Sequence, residues 1–452
     1  MIMMETGRER ARPNWRTVCS LLLIPVLAGV VLTEYEDRFE AGGMDFYSFW
    51  EVAEAQRFSG GTLGAPYING FAYLQVERQV VLSAFDDHAL LRNALYWHGR
   101  AWDRGATLLP TPLLYTSFAL FPRDFSYALN IYNWGHLVVF LLGMFLLGTV
   151  LSCRPLPTLL ASLVLLATCY PLQQDLFYGN VGIVLLFGLA GFLAACAYAD
   201  VATPREALGL RLFVSAGLIV LTLFKPLVLI PCMLLLLYQL AQGGAWERWA
   251  IGVASAAAVI LCITIPSWYF TTWAIWTDWL VHLSTDRHLL QPLSNNNHSL
   301  VMMSAEWSGL HPSTISLIFG GTCLVTILWA IGRRGKGGVR MSSDVLLDSL
   351  RDPVMVVSIG ILVTLATAPL VWPHYNVLAV IPAMWLITRP THRGLFQGLV
   401  LALLLMNLGI AMDWVALNNL PLPRLLAQGG TWIPLWLGML VAIQADPASA
   451  LR

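Results

Sequence analysis

The chain is cut into apolar runs by mostly short polar connectors, and this pattern restricts it to one kind of fold. The runs lie near 17–32, 126–151, 157–170, 179–199, 208–224, 226–241, 248–267, 312–332, 353–371, 375–388, 395–412 and 431–445. A helix needs roughly twenty apolar residues to cross a bilayer, and in lipid each backbone polar group must be bonded inside its own segment. The pattern therefore predicts an all-α polytopic membrane protein, a bundle of about twelve transmembrane helices. Hydrophobic residues make up 57% of the 452 and charged residues 12%, a balance that no soluble protein of this size needs. The formal net charge is zero, which argues against nucleic-acid binding.

Charge placement orients the bundle. Arg8, Arg10, Arg12 and Arg16 precede the first run, and no small-residue cleavage site follows it. The run reads as an uncleaved first span with its N-terminus in the cytoplasm. Arg333, Arg334, Lys336 and Arg340 crowd the connector after the 312–332 run. By the positive-inside rule that connector and both termini are cytoplasmic. The long polar loops 34–106, 268–311 and 413–430 then share the outer side of a single membrane-embedded domain, 1–452. A further apolar stretch at 107–121 carries Pro110 and Pro112, as suits a re-entrant or broken segment. Trp268, Trp273, Trp276 and Trp279 in the second outer loop read as interfacial anchors.

Several chemistries find no support. Of the seven cysteines none is in a long outer loop, and there is no CxxC or His/Cys cluster, so neither a disulfide framework nor a zinc site is indicated. There is no P-loop, GxGxxG turn or GxSxG elbow. No cofactor and no metal are expected.

The first outer loop opens with Gly42-Gly43-Met44-Asp45-Phe46-Tyr47-Ser48-Phe49-Trp50. Phe46, Phe49, Trp50 and Ala53 fall at helical spacing, with Glu51 and Glu54 on the other side. The spacing predicts a helix lying on the membrane surface. Asp45 at its start reads either as an N-cap or as a catalytic base at the interface. Lys225, in Phe224-Lys225-Pro226, either snorkels or meets an anion. His374, in Trp372-Pro373-His374-Tyr375-Asn376, sits between two apolar runs. Asn297-His298-Ser299-Leu300 ends an Asn run of the kind that makes solvated turns, and Asn180 stands in Tyr178-Gly179-Asn180-Val181-Gly182. Taken together, these polar residues project from one face. A carboxylate, a cation, imidazoles and amides there suit a phosphate-linked substrate whose tail stays in lipid.

These stretches resemble a known family. Asp45-Phe46-Tyr47 through Trp50 and Ala53, then Phe58-Ser59-Gly60 and Ala65-Pro66-Tyr67, are similar to the opening of the polyprenol-phosphate-sugar-dependent enzymes of the GT-C superfamily. Within it the chain looks like glycosyltransferase family 87, which includes bacterial α-mannosyltransferases and related arabinosyltransferases. Lys225-Pro226, Asn297-His298-Ser299-Leu300 and Trp372-Pro373-His374-Tyr375 resemble later motifs of that family. Two motifs depart from it. Its Tyr-Pro-Pro is here Leu109-Pro110-Thr111-Pro112, and its Gly-Gln-x-Asn is here Gly179-Asn180-Val181-Gly182.

The resemblance implies a GT-C-like helical bundle with outer-face amphipathic helices and loops, in the plasma (bacterial inner) membrane. It implies Asp45 as general base and Lys225 and His374 at the donor phosphate, with Asn297 and His298 beside them. Tyr47, Tyr67, Arg104, Asn180 and Tyr375 are candidate substrate contacts. The implied reaction inverts the sugar, best taken as mannose, on transfer from a polyprenyl-phosphate donor to a glycolipid or polysaccharide acceptor. Two other readings compete. A lipid-linked glycan transporter or flippase predicts charges buried in mid-span, and the runs are nearly charge-free. A structural membrane subunit would leave the Asp45 region free to vary.

Overall fold

The computed structural model describes residues 23–33, 35, 43–67, 110–285, 297–334, 352–388 and 421–444. Arg104, the 69–104 insert, the run 395–412 and most of the basic connector lie outside these residues. Every regular element among the described residues is helical.

Helix α1 (Leu23–Thr33) precedes α2 (Met44–Phe58) and the short α3 (Pro112–Phe118). Then come α4 (Phe125–Val150), α5 (Pro155–Thr168), α6 (Tyr170–Tyr178), α7 (Gly182–Ala199) and α8 (Pro204–Phe224). A 3-10 turn, Pro226–Val228, leads into α9 (Leu229–Gln242) and α10 (Ala245–Tyr269). The chain continues through α11 (Ile275–Thr285), α12 (Leu300–Ser308), α13 (Pro312–Arg334) and α14 (Pro353–Thr367). A 3-10 segment, Pro373–Ala379, precedes α15 (Val380–Thr388) and α16 (Pro421–Gln444).

These helices occupy the apolar runs, and local chemistry sets their starts. The Asp124 carboxylate accepts the Tyr127 N–H at 2.7 Å to open α4. Thr203 and Glu206 form a capping box at α8, and Pro204 takes its first helical position. The Asp352 carboxylate caps α14 through Val354 N–H at 2.9 Å and takes the Trp385 indole N–H at 2.7 Å. Among the described residues five helices, α4, α7, α8, α10 and α13 (its Pro312–Gly332 stretch), are long and apolar enough to cross a membrane. The pair α5 and α6, bent by 71° at Cys169, makes a sixth if it is one span. The sequence predicts about twelve. Among the described residues, α14 and the Pro226–Gln242 stretch are apolar but shorter.

The centre of the bundle is α7, packed between α4 and α8, with Ile183, Leu186, Leu189 and Leu193 fully buried. Around it the outer helices expose apolar side chains, among them Val138, Leu142 and Phe145 on α4 and Leu317 and Val325 on α13. A helix surface facing lipid carries such residues.

Helix α2 corrects the expectation of a surface helix. Phe46, Phe49, Trp50 and Ala53 are buried as the spacing requires, but Glu51 and Glu54 on the other side are buried too. The covering partners come from far along the chain. The Phe46 ring lies 5.4 Å from Phe118 and 4.7 Å from Tyr132, and the Tyr269 hydroxyl donates to Ala53 O at 2.7 Å. Glu54 is paired with Arg57 and, at 3.7 Å, with Arg123. The stretch near 107–121 contributes α3, whose Leu114, Tyr115 and Phe118 pack in the same aromatic cluster. The tryptophans divide: Trp268 and Trp273 are exposed, whereas Trp279 is buried.

Candidate functional site

Asp45 is the second residue of α2 and is not its N-cap. The cap is Gly43, in the left-handed region at φ 100°. A side chain there would meet Leu129 Cδ1 at 2.8 Å, so glycine alone fits both the dihedral and the space. The Gly43 N–H donates to Phe177 O at 2.7 Å, tying the start of α2 to the end of α6. The Asp45 side chain is thus free for another partner, and Oδ2 accepts the Asn180 Nδ2–H at 2.7 Å. Its other oxygen has no hydrogen-bond partner among the described residues. Burial lifts the Asp45 pKa above the ordinary carboxylate value, while the Asn180 bond and the Lys225 charge pull it back.

The turn between α6 and α7 presents Asn180. Gly179 sits at φ +69°, where a Cβ would meet Phe46 Cβ at 2.7 Å. Asn180 Oδ1 accepts the Val181 N–H at 2.7 Å, which assigns the amide and leaves its Nδ2 edge for Asp45. The Asn180 carbonyl accepts the Tyr132 hydroxyl at 2.8 Å. His136, one turn on from Tyr132, is buried with its ring 4.0 Å from the tyrosine ring.

Lys225 occupies the break after α8. The following Pro226 disfavours helical backbone at Lys225, which is extended at φ −145°, ψ 104°. The Thr111 hydroxyl donates to Phe224 O at 2.9 Å, bringing α3 against the same break. The Lys225 ammonium lies 5.5 Å from the centroid of the Tyr375 ring. It acts on Asp45, and with burial it holds the neighbouring His374 imidazole well below its ordinary pKa. His374 is therefore neutral near pH 7. Its ring is buried edge-on to Tyr375 at 4.7 Å, and neither ring nitrogen has a hydrogen-bond partner among the described residues.

The structure thus gathers Asp45, Asn180, Lys225, His374 and Tyr375. The remaining predicted residues sit differently. Asn297 is buried rather than in a solvated turn. Its Oδ1 accepts the Ser299 and Val371 N–H groups at 3.0 and 3.1 Å, and its Nδ2 donates to Pro369 O at 3.1 Å. The His298 backbone N–H donates to Val371 O at 2.7 Å, and its ring is fully buried. This strap carries the chain that leads into His374. Tyr47 is buried against Trp50 and Phe125. The Tyr67 hydroxyl donates to Pro110 O at 2.8 Å. Arg104 lies outside the described residues.

Asp175, Tyr132 and His136 also lie at the site, and no motif in the sequence marks them for it. The latter two are concealed inside an apolar run. Asp175 gives one signal, a lone acid five residues before Asn180 at an apolar flank. Among the described residues no group of three His, Cys, Asp or Glu side chains is placed to hold a metal ion.

The family model for glycosyltransferase family 87 matches residues 109–347, more than half of the chain. No curated protein and no solved structure matches it. The matched stretch contains Asn180 and Lys225. Asp45 precedes it and His374 and Tyr375 follow it, and it is the fold that brings all five together.

Proposed function

The chain belongs to glycosyltransferase family 87, and from that premise we propose that it moves one sugar from a polyprenyl-phosphate donor to a glycolipid or polysaccharide. Transfer takes place on the outer face of a cell's plasma membrane, across which about twelve helices pass with both termini inside. Mannose is the sugar we expect. The observation that carries the reading is the juxtaposition of the half-buried Asp45 carboxylate with Lys225 and His374 at one end of an apolar bundle.

Asp45 acts as general base. Its unbonded oxygen takes the proton of the acceptor hydroxyl as that oxygen attacks the anomeric carbon. The bond from the anomeric carbon to the phosphate oxygen breaks in the same step, and polyprenyl phosphate leaves with the electron pair. One displacement inverts the sugar, so a β-linked donor gives an α-linked product. Lys225 balances the charge growing on the leaving phosphate, and a neutral His374 can donate one N–H to it. Asn180 holds the base.

An apolar cleft of about 360 Å³ between α5 and α15, lined by Leu160, Val164, Ala383 and Met384 among others, supports a lipid-linked donor. It reaches Cys169, where α6 begins, and Val380, next to the His374 segment.

The test is transfer of labelled sugar from polyprenyl phosphate by the purified protein in lipid vesicles. The expected result is an inverted product, lost in Asp45→Asn. Transfer from a nucleotide sugar but from no polyprenyl donor would overturn the reading.

A further inference from the structure

Helix α7 begins without a cap of its own. Its N-cap is Val181, which offers no side-chain bond. The exposed N–H groups of its first turn are instead met by Asp175, from the preceding helix. Oδ1 accepts the Gly182 N–H at 3.0 Å and Oδ2 the Ile183 N–H at 2.8 Å. The Asp175 carbonyl takes the Asn180 N–H at 2.9 Å. The carboxylate is fully buried and fills the space beside Gly182, where a Cβ would meet Oδ1 at 2.6 Å.

Between these clamped groups lies Asn180, and each of its polar groups is engaged. Its N–H is held by Asp175, its carbonyl by Tyr132, its Oδ1 by Val181 and its Nδ2 by Asp45. The amide cannot flip without setting Oδ1 against the Asp45 carboxylate and Nδ2 against the Val181 N–H. What keeps it there is the turn, and what holds the turn is Asp175.

We propose that Asp175 is a positioning residue: by clamping the 180–183 turn it fixes the Asn180 carboxamide on the Asp45 carboxylate. The proposal rests on Asp45 being the base of the transfer reaction. Among the described residues, the charged and titratable groups around Asp45 are Lys225 at the α8 break, Asp175 on α6, Tyr132 on α4, and His374 and Tyr375 on the 373–379 segment.

The sign of a pH shift separates positioning from charge. Asp175→Asn removes whatever negative charge Asp175 carries, which alone would make Asp45 easier to ionise and move the acidic limb of kcat to lower pH or leave it in place. It also sets an amide donor against a backbone donor and loosens the turn. Loss of the Asn180 bond moves the limb to higher pH, as in Asn180→Ala. The expected result is a limb shifted upward, kcat down about tenfold or more with donor KM little changed, and no further shift on adding Asn180→Ala. Gly182→Ala keeps both charges, pushes on the carboxylate from the other side and should move the limb the same way if Asp175→Asn does not fold.

An infrared pH titration follows the protonated-carboxyl band that Asp45→Asn removes and needs no sugar transfer. That band should titrate at higher pH in Asp175→Asn, Gly182→Ala and Asn180→Ala. A downward or absent shift in a folded Asp175→Asn or Gly182→Ala protein, or a shift additive with Asn180→Ala, overturns the proposal. An upward shift in a protein that transfers no sugar from polyprenyl phosphate upholds the clamp on Asp45 and defeats the assigned reaction instead.

Discussion

Two polar clusters lie near the same end of the bundle, and they use their side chains in opposite ways. In the Asn297–Ser299 strap the amide and hydroxyl bond backbone groups of 368–371: Asn297 reaches Val371 and Pro369, and the Ser299 hydroxyl donates to Ala368 O at 2.6 Å. Around Asp45 the bonds run from side chain to side chain, and one carboxylate oxygen and both His374 nitrogens keep unused capacity. Both clusters read alike in sequence, as polar residues between apolar runs. The partner, not the residue type, separates them. A buried polar group bonded to backbone holds a fold, whereas one left open beside a charge is available to a substrate.

The largest expected effect tests the open cluster. Asp45→Asn should lower kcat by about 10²–10⁴-fold with donor binding retained, measured by single-turnover transfer and by donor titration. Near-normal turnover would erase the distinction between the clusters. The same carboxylate sets the wild-type pH dependence. Because burial raises its pKa, the ionised base is lost, and kcat falls, as pH drops through a value higher than that of an unperturbed aspartate. A pH–rate profile whose acidic limb lies at or below the unperturbed aspartate value counts against the assignment.

Lys225→Met comes next. A charge-assisted bond to phosphate is worth about 1.5–3 kcal/mol, so donor affinity should fall roughly 10- to 150-fold. The acidic limb should also move up, since Lys225 favours the ionised Asp45. Isothermal titration with the polyprenyl-phosphate sugar donor reads the first effect and the pH profile the second.

For the strap the expectation reverses. Asn297→Ala leaves two backbone N–H groups and a carbonyl buried without their partner, at about 1–3 kcal/mol for each group left unsatisfied. Thermal unfolding in detergent should show a clear drop in midpoint, while donor KM of the protein that remains folded is unchanged. A KM rise without a loss of stability would move Asn297 from scaffold to substrate contact. The smallest effect belongs to Tyr67→Phe. It removes one hydroxyl bond to Pro110 O, costs about 0.5–1.5 kcal/mol and should leave kcat and KM alike.

Hydropathy made the helices legible. The predicted 126–151, 208–224 and 312–332 runs differ from α4, α8 and α13 by only a few residues at either end, because lipid permits little else than a helix in such segments. Partners were not legible. The spacing of Phe46, Phe49, Trp50 and Ala53 identified one buried face of α2, but nothing local to Glu51 and Glu54 indicates that the other face is covered as well. Asp45, Lys225 and His374 stood out because a charge or imidazole beside apolar runs is unusual. Asp175 did not, since its meaning depends on α7 turning back over it. The Gly43 cap was equally hidden, as only the proximity of Leu129 and Phe177 explains why Asp45 is released from capping.

The spread of the site along the chain has a consequence for its assembly. Asp45, Asn180, Lys225 and His374 are made in that order, and the last follows the first by 329 positions. At 5–20 residues per second synthesis takes roughly 15 to 70 seconds to cross that interval. Throughout it the growing chain carries Asp45, and later Lys225, without His374. A ribosome-bound chain ending near residue 350 contains all of the family-matched stretch and still lacks His374 and Tyr375. On the proposed assignment of these residues, catalytic competence is acquired late in biogenesis, and chains released early into the membrane would be inert rather than unregulated transferases.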